Sequence, residues 1–339
     1  MKQTIRLLTI DGGGMRGLIP AMFLAALEER AGKPAAQLFD MIAGTSTGGI
    51  LALGLAKPDA AHPGRPQYRA RDLIDLYKVE GKRIFKAPVG RQLVDERYPA
   101  EGIEGVLKSY FGETRFNEAL TELLVTAYDI QMRRPHLFKT RHAADPEGSK
   151  HKDHDFLMWQ VARATSAAAT FFEVAKLDKE GAPPYLALLD GGTFANNPSL
   201  CAYIEAKKLY PEAEVLLVSL GVGRIIDPLD YDEVRNWNLF KWLRPLFDLV
   251  LEGASDNVDY LTGKLVPEEN YYRFQVQIGR KNQMLDNTSK RNIQQLIAIA
   301  EKGIAGESQR LDELAARLVE HPSGKAPARK KAPGKGPTA

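Results

Sequence analysis

Residues 5–17 read IRLLTIDGGGMRG and residues 39–49 read FDMIAGTSTGG. In the first stretch a short β-branched and leucine-rich run, residues 5–10, stops at a cluster of glycines, as a buried parallel strand does when it ends in a tight loop. Residues 18–30, LIPAMFLAALEER, then read as an apolar helix that ends at Gly32. In the second stretch the apolar residues 39–43 meet Gly44-Thr45-Ser46-Thr47-Gly48-Gly49, and the apolar run 50–56 follows. Strand, glycine turn and helix thus occur twice within the first 56 residues. That alternation predicts an α/β fold with a parallel sheet and active-site loops at the carboxyl ends of its strands.

The same pattern continues along the chain. Residues 123–128, 185–189 and 215–220 read as further strands, separated by helical stretches such as 155–168 and 198–209. No repeat and no linker interrupts it, so residues 1–320 read as one domain. From His321 onward the sequence is rich in Pro, Gly, Ala and Lys with no large apolar residue. Such a segment cannot bury enough surface to offset its chain entropy, and residues 321–339 are expected to form a disordered basic tail. Residues 58–99 begin with a polar stretch and then mix Ile84, Phe85 and Val89 with Lys82, Arg83, Lys86 and Arg91. They read either as a mobile flap over an apolar site or as a surface excursion without a role.

Composition excludes several functions. Of 339 residues, 44% are hydrophobic and 26% charged, an ordinary globular balance. Lys and Arg total 46 against 43 Asp and Glu, and part of the small excess sits in the tail, so the body lacks the basic face that DNA or RNA binding needs. One cysteine, Cys201, makes neither an internal disulfide nor a metal cluster, which fits a reduced cytoplasm. The start of the chain is too short in apolar residues for a signal-peptide core, and no apolar run approaches the length of a membrane span. Any membrane contact is therefore expected to be peripheral.

Gly44-x-Ser46-x-Gly48 between a strand and a helix has the form of a nucleophile elbow, a turn too sharp for side chains at its flanks that pushes the serine oxygen into the open. The first glycine loop, Asp11-Gly12-Gly13-Gly14-Met15-Arg16-Gly17, lies between a strand and a helix, so its backbone N–H groups can converge on an anion as an oxyanion hole. Gly12-x-Gly14-x-x-Gly17 also satisfies the dinucleotide-binding fingerprint. That reading wants an acid at the end of the second strand, where this chain has Gly44-Thr45-Ser46; Asp40 precedes the strand instead.

A serine nucleophile needs a base, usually histidine. The six histidines, His62, His136, His142, His151, His154 and His321, occupy no strand-end motif. His142, His151 and His154 could hold a metal, but without a recognisable ligand spacing they read better as part of a solvated loop, and no metal or cofactor is expected. Leu188-Leu189-Asp190-Gly191-Gly192 ends an apolar strand with an acid on a glycine turn. Asp190 reads as the candidate base or, more simply, as a turn-capping aspartate. Residues 237–251, with NLFKWLRPLF at their centre, mix Trp and Phe with Lys241 and Arg244; they read as an interfacial segment near a lipid entrance or as a core helix.

In this order, DGGGMRG, GTSTGG and DGG resemble the motifs of the patatin-like phospholipases. The resemblance covers most of the chain and extends to Ala162-Arg163-Ala164-Thr165-Ser166-Ala167-Ala168-Ala169-Thr170-Phe171-Phe172 and to Asn196-Asn197-Pro198. It implies a three-layer α/β/α fold with a mostly parallel sheet and a Ser-Asp dyad at strand carboxyl ends. It further implies Ser46 as nucleophile, Asp190 as base, and Gly12, Gly13 and Gly14 with nearby Arg16 as oxyanion hole. The substrate implied is an acyl ester of membrane phospholipids or neutral glycerolipids, cleaved at the inner face of the membrane. Ala169, where the family commonly has proline, is a departure that touches a local turn. The length and the opening IRLLTIDGGGMRGLIPA also resemble bacterial stand-alone members, including anti-phage effectors switched on by cyclic nucleotides, which implies a cyclic nucleotide activator. The other function class is a patatin-fold binding or scaffold protein that is catalytically silent; the intact serine, aspartate and glycine loop favour the enzyme.

Overall fold

Strand β1, Thr4–Ile10, alternates its side chains between two apolar layers, and the rest of the molecule is built on that alternation. Ile5 and Leu7 face one layer together with Met41, Ala43, Leu124 and Leu217, while Leu8 and Ile10 face the other with Ile42, Val125, Val218 and Leu220. The computed structural model describes residues 3–87, 98–143, 155–179 and 184–320, and at 142, 240, 243, 244 and 247 only the backbone. The tail, residues 321–339, and two of the histidines read as part of a solvated loop, His151 and His154, lie outside the described residues.

The other strands are β2 (Met41–Thr45), β3 (Glu122–Asp129), β4 (Arg134–Lys139), β5 (Ala175–Asp178), β6 (Tyr185–Asp190), β7 (Glu214–Leu220), β8 (Arg224–Ile225), β9 (Tyr271–Phe274) and β10 (Gln277–Ile278). The main sheet runs β5-β6-β3-β2-β1-β7-β9, with β4 also paired to β3. The pairs β2–β3, β1–β2, β1–β7 and β7–β9 are parallel. A mostly parallel sheet covered on both faces needs apolar residues of both parities, which the run ILALGLA and the strands themselves supply.

One layer holds helices α1 (Leu18–Ala31) and α2 (Thr47–Ala56). Gly32, in the left-handed conformation at φ 66°, ends α1 where a side chain would be strained. Every residue of α2 is buried, as its unbroken apolar sequence requires. The same layer takes α3 (Ala100–Phe111) and α4 (Met158–Thr165). The fold is shorter there than expected from 155–168: the chain leaves the helix at Thr165, where the Ser166 hydroxyl turns back to the Ala162 carbonyl. Helix α5 (Ser199–Leu209) covers the opposite face through Ala202 and Ala206. A long helix, α6 (Leu239–Leu265), follows, and α7 (Lys290–Gly306) and α8 (Ser308–Glu320) complete the first layer beside α1.

Two strands of the mostly parallel sheet, β4 and β6, run against β3, and the second of them sets the site. β6 is antiparallel to β3, pairing Asp190 with Ala127 and Leu188 with Asp129. β4 pairs along Leu124–Asp129 on one edge of β3, so β2, opposite Glu122 to Thr126, and β6, opposite Ala127 to Asp129, share the other edge. The two strands therefore run head to head and end on neighbouring residues. An apolar run carries no information about strand direction, which is why the sequence did not show it.

Candidate active site

At the junction of β2 and β6 the chain makes two sharp turns. After Thr45 the backbone passes through Ser46 at φ 55°, ψ −123°, a conformation that L side chains rarely adopt, and enters α2. Gly44 and Gly48 allow the sharp turn, because a Cβ on Gly44 would strike the Gly48 carbonyl and one on Gly48 would strike the Ile10 carbonyl. The Ser46 amide donates to Thr165 Oγ1 at 2.8 Å, fixing the elbow to the end of α4. On the other side β6 stops at Asp190, whose Oδ1 accepts the Gly192 amide at 2.7 Å. This is the turn-capping bond of the simpler reading, and the Ser46 side chain lines the same cleft as this carboxylate and favours its charged form.

Burial pushes the Asp190 carboxyl up to about 6 from its ordinary 3.8, while the hydrogen bonds from Ser46 and Gly192 favour the charged form and limit the rise. Asp190 is only 8% exposed, so its charge is held by these donors rather than by water. At neutral pH it is ionised about ten to one, free to accept a proton.

The glycine loop after β1 closes the same cleft. Gly12, Gly13, Gly14, Arg16, Ser46 and Asp190 all line it, with apolar walls from Ile50, Leu76, Phe85, Phe171 and Leu251 among others. The three glycines are not equivalent. The Gly12 amide donates to the Asn196 carbonyl at 3.0 Å, whereas the Gly13 and Gly14 amides have no acceptor among the described residues. Gly14 adopts φ +54°, and the Leu285 carbonyl stands where its Cβ would be. The Met15 amide donates to that carbonyl at 2.7 Å, tying the loop to the far end of the sequence.

Arg16 is 6% exposed, and its Nε and Nη1 find no hydrogen-bond partner among the described residues. Burial lowers its pKa, opposed by the carboxylates of Glu252, Asp248 and Asp11. Asp11 is paired with Arg273 at 2.6 and 3.0 Å, which keeps the root of the loop rigid. Asp40 pairs with Arg6 at the amino end of the sheet, far from the loop, so the acid that a dinucleotide site would want is absent from the cleft.

Among the described residues no histidine lines the cleft. His62 is exposed beside Asp59, and His136 stacks edge-on to Phe138. Part of residues 58–99 is now placed: Leu76, Tyr77, Ile84 and Phe85 form a wall of the cleft, and the Tyr77 hydroxyl bonds Thr47 Oγ1 at 2.6 Å, so this segment is not a roleless excursion. Residues 88–97 lie outside the described residues. Sequence reasoning gave no role to Thr165, to the Asn196 carbonyl, to Leu285 or to Arg273. Thr165 and Asn196 stand in quoted motifs, but the contacts of Leu285 and Arg273 depend on packing that local spacing does not encode.

Comparison with known proteins identifies the family. The family described as patatin-like phospholipase matches residues 8–202, which contain every residue of the cleft named in the sequence motifs. Patatin-like protein 1 of Oryza sativa subsp. indica is 32% identical over 94% of this chain and 86% of its own length. Patatin-like protein 2 from the same source is 30% identical over 91% and 85%. A potato protein, probable inactive patatin-3-Kuras 1 of Solanum tuberosum, is 31% identical over 80% and 79%. The chain belongs to the family of patatin-like phospholipases, lipid acyl hydrolases that act on carboxylic esters.

Proposed function

We propose that the chain cleaves fatty-acyl esters of membrane phospholipids through a Ser46–Asp190 dyad. Asp190 accepts the proton of the Ser46 hydroxyl as Oγ attacks the acyl carbonyl. The Gly13 and Gly14 amides receive the oxyanion that forms, with Arg16 adding positive potential and Gly12 acting as the pinned base of the loop. The proton on Asp190 passes to the departing lysolipid oxygen. Water, activated by the same carboxylate, then releases the fatty acid and restores Ser46. The observation that carries this reading is Ser46, on its strained elbow, sharing an apolar cleft with a buried carboxylate whose charged form its side chain favours.

No helix among the described residues is long and apolar enough to cross a membrane. The enzyme meets its substrate peripherally, at the cytoplasmic face of the bilayer. A finer part of the reading, carried by the opening segment, is activation by a cyclic nucleotide in anti-phage defence. Mass spectrometry of phospholipid vesicles incubated with the wild type, Ser46→Ala and Asp190→Asn tests the whole. Fatty acid and lysolipid should accumulate with the wild type alone. Absence of turnover with every phospholipid and neutral glycerolipid would leave the catalytically silent binding protein. Equal turnover with and without added cyclic nucleotides would remove the activator.

A further inference from the structure

Helix α6 is amphipathic with its polarity reversed. At 100° per residue, Leu239, Leu246, Leu249, Val250, Tyr260 and Leu261 fall within an arc of about 120° on its surface. These side chains are exposed, Leu239 at 72%, Val250 at 61% and Leu246 at 52%. Three acids of the same helix, Asp248, Glu252 and Asp259, fall on the opposite arc, and a fourth, Asp256, lies exposed at the edge of the apolar one. Glu252 and Asp248 face Arg16, Asp256 pairs with Arg224 at 3.0 Å, and Asp259 accepts the Tyr271 hydroxyl at 2.6 Å and lies 4.0 Å from Arg273. An ordinary surface helix hides its leucines and shows its acids to water. This one holds to the protein partly through charge and shows leucines outward, the kind of exposed apolar face that marks an interaction surface.

We infer that the outer face of α6 is the membrane-docking surface, inserted among the acyl chains of a phospholipid bilayer. The inference rests on the lipid hydrolase reading and deepens it. Leu251, on the flank of the same helix next to that face, lines the cleft that holds Ser46, so one helix carries both the exposed leucines and part of the wall of the site. A second protein seated there would stand beside the path of the substrate; a bilayer seated there supplies the substrate. Trp237 and Trp242 meet edge to face at 5.2 Å at the start of the helix, in the place where interfacial aromatics sit at the headgroup level.

The test compares the full-length chain with Leu246→Glu/Val250→Glu, neither residue being part of the cleft. Binding is read by flotation with vesicles of phosphatidylcholine and phosphatidylglycerol in a Ser46→Ala background, so that the lipid is not consumed. The double variant should bind vesicles at least tenfold more weakly and release fatty acid from vesicles correspondingly slower, with unchanged turnover of a short-chain water-soluble ester and an unchanged melting temperature. Should the variant not fold, quenching of tryptophan fluorescence by brominated lipid in the unsubstituted α6 reads the same contact, and no quenching refutes it. Vesicle binding equal to that of the parent would overturn the inference. So would a dimer that the double variant dissociates while leaving vesicle binding intact, since α6 would then dock a second copy. If the parent cleaves neither ester but still binds vesicles through α6, the hydrolase reading fails and the docking surface stands.

Discussion

Ser46 and Asp190 meet because the strands that carry them run toward each other along one edge of β3, β2 ending opposite Thr126 and β6 ending opposite Ala127. Neither strand passes the other, so the elbow and the carboxylate are brought to one point by backbone pairing alone. The side chains on either side of that point then set the chemistry: Thr165 holds the elbow, and the apolar walls raise the affinity of Asp190 for a proton.

That proton affinity sets the acid limb of the pH profile. A base must be ionised to act, and burial places the Asp190 carboxyl at about 6. The value of kcat/KM should rise through pH 6 and fall about tenfold per pH unit well below it. The measurement is turnover of a soluble ester between pH 4 and 8, checked for folding at each pH. An acid limb near the ordinary carboxylate value would mean that Asp190 is solvated during catalysis.

Asp190→Asn should separate catalysis from stability. Loss of the base should cost roughly two to four orders of magnitude in rate. Stability should move the other way. Because the folded carboxyl titrates at about 6 and its ordinary value is 3.8, the fold is favoured at low pH and loses about 3 kcal/mol as pH rises through 6. The asparagine variant escapes that loss, so its melting temperature should exceed that of the wild type at pH 8 and match it near pH 4. A lower melting temperature at pH 8 would show that the hydrogen bonds of the carboxylate outweigh its burial.

How much of this was legible beforehand follows from what each feature depends on. The elbow at Ser46 and the glycine loop were readable because each is set by its own glycines and by the strand before it. Asp190 was readable as a residue but not as a partner. Its meeting with Ser46 depends on β6 being antiparallel, and YLALLD reads the same in either direction. The split among the three glycines was hidden for a similar reason, since the acceptor for the Gly12 amide lies at Asn196. Residues 237–251 left two readings open, and the structure excludes the core helix: Leu239, Leu246, Leu249 and Val250 are exposed.

Ser46 pays for its position in backbone strain, and the two smallest substitutions should reveal it. Ser46→Ala removes the attacking oxygen but keeps a Cβ at φ 55°, so activity should vanish with little change in melting temperature. Ser46→Gly removes the Cβ as well and should be the more stable of the two, by about 1 kcal/mol or more. Equal stability in thermal unfolding would place the cost of the elbow in its neighbours rather than in Ser46.

Thr165 is fully buried, and its hydroxyl accepts the Ser46 amide. Thr165→Val preserves shape but leaves that N–H without a partner, a loss of about 1–3 kcal/mol. The elbow should also relax, lowering kcat about tenfold with a smaller effect on KM. Thr165→Ser keeps the hydroxyl and should restore most of kcat. Failure of serine to restore it would mean that the methyl group, packed near Gly49, matters more than the hydrogen bond.

The amides of Gly13 and Gly14 are the available donors of the loop, so moving them should damage the rate more than the fold. A Cβ on Gly13 would lie 2.6 Å from Val222 Cγ2 and 2.9 Å from its Cβ, and the loop must shift to admit it. Gly13→Ala should therefore lower kcat by about 100-fold, the cost of losing one well-aimed oxyanion donor. Val222→Ala alone removes both γ carbons and should cost about 1–3 kcal/mol in stability with modest loss of rate. Combined, the two should recover part of the lost kcat, because the γ-carbon overlaps are gone while the approach to the β carbon remains. Kinetics of the four proteins form a double-mutant cycle whose coupling measures the clash directly. A cycle with no coupling would show that alanine at 13 acts through the conformation of the loop itself, independent of Val222.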